Sequence, residues 1–225
     1  MANDNVANDV FSRTAADGEV MSDGAYNLAM GLVLCWGFLV NWWMVRNVPV
    51  SLITGIYIRL FLLGYFASCF AGVYLFNRSS NPGVSFLGYN LVVIPFGFVI
   101  NVVVARYDSA LVLEAIRITG TVTLGMMLLG SLFPAFFRRI HTALTISLLL
   151  VILVELADIF IFHKQRGIID WIVVLIFCGY VGYDWGRANN IPKTLDNAVD
   201  SAAALYMDII NLFLRILRIL GRRRR

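Results

Sequence analysis

The chain has 225 residues, of which 60% are hydrophobic and only 14% are charged, with a formal net charge of +4. Because soluble globular domains carry about a quarter charged residues, this composition excludes a single soluble domain. It predicts an all-α integral membrane protein, with the lipid bilayer as its surroundings and no nucleic acid as a partner.

The start of the chain, residues 1–25, is a polar, acidic segment. It includes five acidic residues and only one basic residue, Arg13. The segment lacks the basic start and the apolar centre of a signal peptide, so we expect the first membrane helix to direct insertion. We predict that residues 1–25 form a disordered tail.

Seven apolar stretches follow this tail. A transmembrane helix needs about 20 predominantly apolar residues, and the stretches that satisfy this length are 26–45, 52–76, 84–105, 110–133, 140–162, 168–190 and 197–220. We therefore predict a seven-helix transmembrane domain over residues 26–220, followed by a basic tail over residues 221–225. The short connections predict antiparallel neighbours in one bundle.

Two helices contain packing signals. Gly64, Ser68 and Gly72 form a row of small residues on the second span, which permits close approach of another helix. Pro95 lies inside the third span and predicts a kink, because proline removes a helical hydrogen bond and clashes with the preceding turn.

The basic end of the chain bears on its orientation. Arg222–Arg225 form a run of arginines, which favours a cytoplasmic C-terminus. Seven spans would then place the N-terminus outside, whereas one re-entrant segment would reverse that conclusion. This pattern fits a multi-pass protein of a bacterial plasma membrane, with an organelle membrane as the alternative.

The sixth span contains an aspartate near its end. Its apolar stretch runs only from 168 to 183 and already includes Asp170, which is short for a crossing. We expect the helix to continue through Asp184 until Pro192 ends it. Asp184 would then lie within the membrane and face protein.

The seventh span has a polar stripe. Stepping by three and four residues gives one face with the members Ser201, Ala204, Asp208, Asn211, Arg215 and Arg218. Ionisable residues inside a membrane are costly and usually face the bundle interior or a water-filled cavity. Asp208 and Asn211 are therefore candidate pore-lining residues.

Two further spans contain ionisable residues. Glu155 and Asp158 share one face of the fifth span and are candidates to line a polar cavity. Glu114 and Arg117 have the same spacing on the fourth span and are expected to form an internal ion pair.

The C-terminal motif resembles a known family. Residues 182–184 read Gly-Tyr-Asp, and residues 203–213 read Ala-Ala-Leu-Tyr-Met-Asp-Ile-Ile-Asn-Leu-Phe. Together with Val-Leu-Glu-Ala at residues 112–115, these motifs resemble the Bax inhibitor-1 family. The strong part of the likeness covers only the C-terminal end of the chain.

The resemblance implies a fold and an activity. It implies seven helices with the last one central, and a pH-sensitive calcium leak channel like those of bacterial members. The proton-sharing aspartates of such channels match Asp184 and Asp208, and a basic latch near the second helix matches Arg59 or Arg78. The likeness thus predicts a non-enzymatic protein, a monomer, with no permanent cofactor, through which calcium ions permeate and to which protons bind.

Elementary electrostatics supports a pH response. Two carboxylates close together in a low-dielectric site cannot both ionise cheaply, so one apparent pKa is expected to rise, and the titration belongs to the pair. A shared proton would tie the sixth helix to the seventh. Its loss would free carboxylate oxygens, which are ligands that calcium prefers, so Asp184 and Asp208 are also predicted to bind calcium transiently.

Other readings of the same residues stay open. Asp184 can instead pair with Arg187, and Asp208 can form a structural hydrogen bond. The aspartate pair also fits a proton-coupled cation exchanger, and a non-conducting regulatory partner of other membrane proteins is a third possibility. An aspartic intramembrane protease fits less well, because Leu-Tyr-Met precedes Asp208 where such enzymes have Gly-x-Gly.

Overall fold

A computed structural model of the chain describes residues 19–158 and 167–223. Every regular element in these two ranges is a helix, which confirms the all-α class. Most of the predicted N-terminal tail, residues 1–18, lies outside the described residues, as do the last two residues of the predicted basic tail.

The described chain forms eight helices in sequence. They are α1 (Asp23–Asn47), α2 (Val50–Thr54), α3 (Ile58–Arg78), α4 (Pro82–Val104), α5 (Ser109–Leu132), α6 (Pro134–Ala157), α7 (Gly167–Ala188) and α8 (Leu195–Arg223).

Six of these helices are long and apolar enough to cross a membrane, namely α1, α3, α4, α5, α6 and α7. The protein is therefore a multi-pass membrane protein. Helix α8 corresponds to the seventh predicted span and has 29 residues, but acidic and basic side chains recur along it. Helix α8 is therefore not among the helices whose composition is apolar enough for a membrane span, and its crossing of the membrane stays a prediction.

Several helix boundaries differ from those predicted. The second span, predicted over 52–76, is split into α2 and α3, because the chain leaves helical geometry before Ile58, with ψ of 123° at Tyr57. Helix α1 begins inside the predicted tail, because the Ser22 side chain caps it by accepting a hydrogen bond from the Ala25 amide at 3.3 Å. Helix α8 continues into the predicted basic tail.

The described residues divide into two compact units. The first unit contains α1 to α4 and residues 190–204, and the second contains α5 to α7 and residues 205–223. In the first unit α1 and α3 pack against α4. The start of α8 contacts the same unit through a buried hydrogen bond of 2.7 Å that Ser85 donates to Asp196.

The row of small residues on α3 contacts α4 over part of its length. A Cβ atom added to Gly72 would clash with the carbonyl oxygen of Gly88, and the Ser68 hydroxyl donates a 2.7 Å hydrogen bond to the carbonyl of Leu91. A Cβ added to Gly64 would meet nothing within 4 Å. The predicted close approach is thus present at Gly72 and Ser68 but not at Gly64.

Pro95 lies inside α4 and is buried. The helix continues on both sides of this residue, so the proline does not end it. The kink that we expect there stays a prediction.

In the second unit α5 and α6 both pack on α7. The contact with α5 is very close, because a Cβ on Gly130 would clash with the backbone of Gly182 and a Cβ on Gly186 would lie 2.8 Å from the Gly130 carbonyl oxygen. The ring of Phe137 on α6 lies against Gly182 as well. These glycines bring the last turns of α7 directly against its neighbours, just where Asp184 is placed.

Helix α8 is buried along most of its length. Ala198 and Ala202 are fully buried in the first unit, as are Leu205, Leu212 and Leu217 in the second. Such burial is expected of a helix that is surrounded by protein and not by lipid, so its charged side chains must find partners within the protein.

The contact at Gly72 yields a stability prediction. Gly72→Ala should lower the free energy of unfolding by about 1–3 kcal/mol, because the added methyl group overpacks the α3–α4 contact. Gly64→Ala on the same helix should be neutral or stabilising by up to about 1 kcal/mol, since alanine has the better helix propensity. Thermal unfolding in detergent measures both, and equal melting temperatures for the two variants would contradict the close contact.

Candidate functional site

Asp184 and Asp208 lie together in the second unit. Asp184 is in the last turns of α7 and Asp208 is in the middle of α8, and both are buried, with exposed fractions of 8% and 7%. Their carboxyl groups are hydrogen-bonded to each other. Since an ionised carboxylate only accepts hydrogen bonds, such a bond requires a proton on one of the two groups.

The second oxygen of Asp208 is in a different situation. Its Oδ2 atom is buried and has no hydrogen-bond partner among the described residues. A buried polar atom without a partner carries a desolvation cost. This oxygen is therefore available to a proton or a cation that enters the site.

Aromatic and basic side chains surround Asp184. The His141 ring of α6 stacks on the Tyr183 ring with a centroid distance of 4.1 Å, and the Tyr180 hydroxyl donates a 3.0 Å hydrogen bond to Thr145. Arg187 is a positive group whose charge acts on Asp184. The alternative partner Arg187 thus contributes electrostatically, but it does not replace the contact with Asp208.

Helix α7 is also tied to α5 next to the aspartate pair. Trp185 Nε1 donates a 2.7 Å hydrogen bond to the Ser131 hydroxyl, close to the contact between Gly130 and Gly182. These contacts fix the rotation of α7 about its axis, so that Asp184 is directed towards Asp208.

A second group of charges lies along the same two helices. Arg215 of α8 forms a two-pronged ion pair with Glu155 of α6, in which Nη2 donates to Oε2 at 2.8 Å. The same guanidinium donates to Asp170 of α7 at 3.1 Å. One arginine thereby connects three helices of the second unit.

Two more arginines converge on Asp170. Arg218 donates to its Oδ1 at 3.1 Å, and Arg222 lies 2.7 Å from its Oδ2. Asp170 is almost completely buried, with 1% of its surface exposed, so three positive charges compensate one buried carboxylate. We call Glu155, Asp170, Arg215, Arg218 and Arg222 the arginine cluster.

The sequence contained signals of this cluster, but not its pairing. Arginines at 215, 218 and 222 recur at helical spacing on a largely apolar helix, and Asp170 interrupts the apolar stretch of α7. Which acid meets which arginine depends on how three separate helices pack.

Other predicted site residues have different surroundings. Glu155 belongs to the arginine cluster, and Asp158 is buried at the end of α6. That these two acids line a polar cavity stays a prediction. The Asn211 amide donates to the carbonyl of Met207 on its own helix at 2.8 Å. Glu114 and Arg117 are exposed on α5, and their ion pair stays a prediction.

The two candidates for a latch lie in the first unit. The guanidinium of Arg59 is 5.9 Å from the ring centroid of Tyr57, and that of Arg78 is 5.6 Å from the ring centroid of Tyr74. Their predicted role in latching the aspartate pair stays a prediction.

The ligand set available to a metal ion is small. Within the two described ranges there is no group of three or more His, Cys, Asp or Glu residues that could hold a metal ion. Calcium takes six to eight oxygen ligands when it is bound tightly. Two carboxylates alone are suited to brief contact with a passing ion, and other oxygens must complete its coordination.

Comparison with known proteins identifies relatives of the whole chain. The family model described as "Inhibitor of apoptosis-promoting Bax1" matches residues 21–225. The chain is 24% identical to the inner membrane protein YbhL of Escherichia coli over 214 residues, which cover 88% of each chain. It is 27% identical to the protein LIFEGUARD 3 of Arabidopsis thaliana over 188 residues, which cover 76% of this chain and 72% of the relative.

Shorter matches are also found. An uncharacterized membrane protein of Streptococcus pyogenes is 28% identical over 133 residues, or 56% of this chain. That match spans 58% of the length of the streptococcal protein.

The arginine cluster yields a prediction about stability. Arg215→Gln should lower the free energy of unfolding by about 3–5 kcal/mol, because it leaves two buried or half-buried carboxylates without their shared partner. Arg223→Gln, at the exposed end of the same helix, should change it by less than about 0.5 kcal/mol. Unfolding in detergent compares the two variants, and equal stabilities would show that the ion pairs of Arg215 contribute nothing.

Proposed function

The chain belongs to the Bax inhibitor-1 family, and on that premise we propose that it is a pH-sensitive calcium leak channel gated by Asp184 and Asp208. The observation on which this proposal rests is the hydrogen bond between two buried carboxyl groups on different helices. It makes a single proton part of the contact between α7 and α8.

In the closed state the pair shares one proton. The hydrogen bond then links α7 to α8, and the site has one negative charge instead of two. A rise in pH removes the proton, and two carboxylates in contact inside a low-dielectric region repel each other. The helices separate at this point, and the leak opens.

Calcium is the ion that best fits the freed groups. Deprotonation exposes carboxylate oxygens, which are the hard ligands that calcium prefers, and Oδ2 of Asp208 already lacks a protein partner. Because only two acidic side chains meet here, an ion would bind weakly and move on. Weak binding is what conduction requires.

Membership of the family supports a membrane role but does not identify the transported ion. The names of the relatives describe membrane proteins and do not state a transport activity. The aspartate pair supports the assignment to calcium and to gating by protons, which the family resemblance implies. We propose a bacterial plasma membrane as the location, in keeping with the likeness to an inner membrane protein of Escherichia coli.

The experiment measures calcium entry into liposomes that contain the purified protein, at about pH 6 and about pH 8, both above the ordinary carboxyl range. Flux should rise with pH, by up to about tenfold per pH unit while most pairs hold their proton, because opening releases one proton. Asp184→Asn and Asp208→Asn should each remove the pH dependence, since an amide cannot lose that proton.

Asp108→Asn is the matched control. It makes the same change of charge at an exposed residue of the second unit, and asparagine remains a good helix N-cap there. This variant should keep the wild-type response. Flux that is absent at both pH values in folded protein would contradict the leak, and calcium driven uphill by an imposed proton gradient would show a coupled exchanger instead.

A further inference from the structure

Two contacts between α7 and α8 lie at equal separations along both helices. Asp184 meets Asp208, and Asp170 meets Arg222. From the first contact to the second, α7 runs backward from 184 to 170 while α8 runs forward by the same interval, from 208 to 222. The two helices are therefore antiparallel along this stretch, which is about 21 Å long on α7.

The residues between these contacts share the same face. Phe177 and Val181 lie on the stripe of α7 that joins Asp170 to Asp184, and both are buried. Asn211 and Arg215 lie on the matching stripe of α8. On α7 this face is acidic at both ends and apolar in the middle, whereas on α8 the stripe between the two contacts is polar.

The two ends differ in how they respond to pH. Arginine stays protonated at any pH that a cell meets, so the arginine cluster is a permanent contact. The aspartate pair holds together only while it has a proton. A rise in pH thus breaks one end of the α7–α8 contact and leaves the other intact.

Correct alignment of the two aspartates needs a fixed register. A hydrogen bond between carboxyl groups requires oxygen atoms within about 3 Å, whereas a shift of one residue along a helix rotates the side chain by about 100°. Asp170 of α7 contacts Arg215, Arg218 and Arg222 of α8. It is well placed to set the register.

We propose that Asp170 is a positioning residue, which acts through Arg222 and the other arginines of the cluster to align Asp184 with Asp208. This inference rests on the proposed function of the aspartate pair. It assigns a task to a buried ion cluster that the gating chemistry itself does not use.

Charged and titratable groups of α6, α7 and α8 face the two contacts in the described second unit. On the aspartate pair these are His141 of α6 and Tyr180 and Arg187 of α7. On Asp170 they are Arg215, Arg218 and Arg222 of α8, with Glu155 of α6 bound to Arg215. Tyr107 contacts the backbone of Gly221, next to Arg222.

A tryptophan next to the aspartate pair provides a readout that does not depend on calcium flux. Trp185 follows Asp184 directly, and the chain has five tryptophans. Replacing the other four by phenylalanine leaves Trp185 as the only indole. Its emission is recorded against pH in reconstituted full-length protein, and the midpoint reports when the pair loses its proton.

Asp170→Asn in this background should move the midpoint to lower pH by about one unit, a tenfold loss of apparent proton affinity, because misaligned carboxyl groups hold the shared proton less tightly. Arg222→Gln should move it in the same direction by less, since two arginines still contact Asp170. Asp170→Glu, which keeps the charge, should have a midpoint close to that of the wild type.

The controls change the same charges elsewhere. Asp108→Asn and Arg223→Gln should leave the midpoint where it is. If Asp170→Asn does not fold, the comparison of Arg222→Gln with Arg223→Gln decides. A lower midpoint in Arg222→Gln supports the positioning role, and equal midpoints refute it. Midpoints of Asp170→Asn and Arg222→Gln equal to those of their controls would overturn the positioning role.

The proposed function and the positioning role fail separately in this design. If the Trp185 transition shifts as expected but the wild type conducts no calcium, the leak is refuted and the positioning role stands. If flux depends on pH through Asp184 and Asp208 but the midpoint of the Trp185 transition is unchanged in Asp170→Asn and Arg222→Gln, the leak stands and the positioning role is refuted.

Discussion

A hydrogen bond between two buried carboxyl groups requires one proton, and this requirement is the main physical constraint on the second unit of the molecule. Asp184 and Asp208 have little exposed surface, so their charge cannot be screened by solvent, and leaving both ionised would be costly. The close glycine contacts of α7 and the hydrogen bond from Trp185 to Ser131 direct Asp184 towards this partner. In the proposed function, the contact between α7 and α8 at this point depends on whether the proton is present.

The arginine cluster complements this labile contact. Buried charges persist in a membrane protein only when they are paired, and Asp170 is paired with three arginines. Such pairs add little to stability compared with an apolar core of the same shape. In the account proposed here, their value lies in alignment, because they would hold α8 against α7 independently of pH while the aspartate pair responds to pH.

The sequence predicted most of the helices well and directed attention to the two aspartates, for a simple physical reason. Apolar runs of membrane length and isolated charges within them are local features, so α1, α4, α5 and α7 lie near their expected positions and Asp184 and Asp208 stand out. The break between α2 and α3 was missed because both sides of it are apolar. The pairing of Glu155 and Asp170 with arginines of α8 was missed because it depends on the packing of distant segments.

The most direct test of this account is to observe the shared proton itself. Infrared difference spectra of protein with isotope-labelled aspartate, recorded between about pH 6 and about pH 8, report the C=O stretch of a protonated carboxyl group. The account predicts a protonated band at the lower pH that disappears at the higher pH and is altered in both Asp184→Asn and Asp208→Asn. A spectrum without such a band, or with a band that neither variant changes, would contradict a proton shared by this pair.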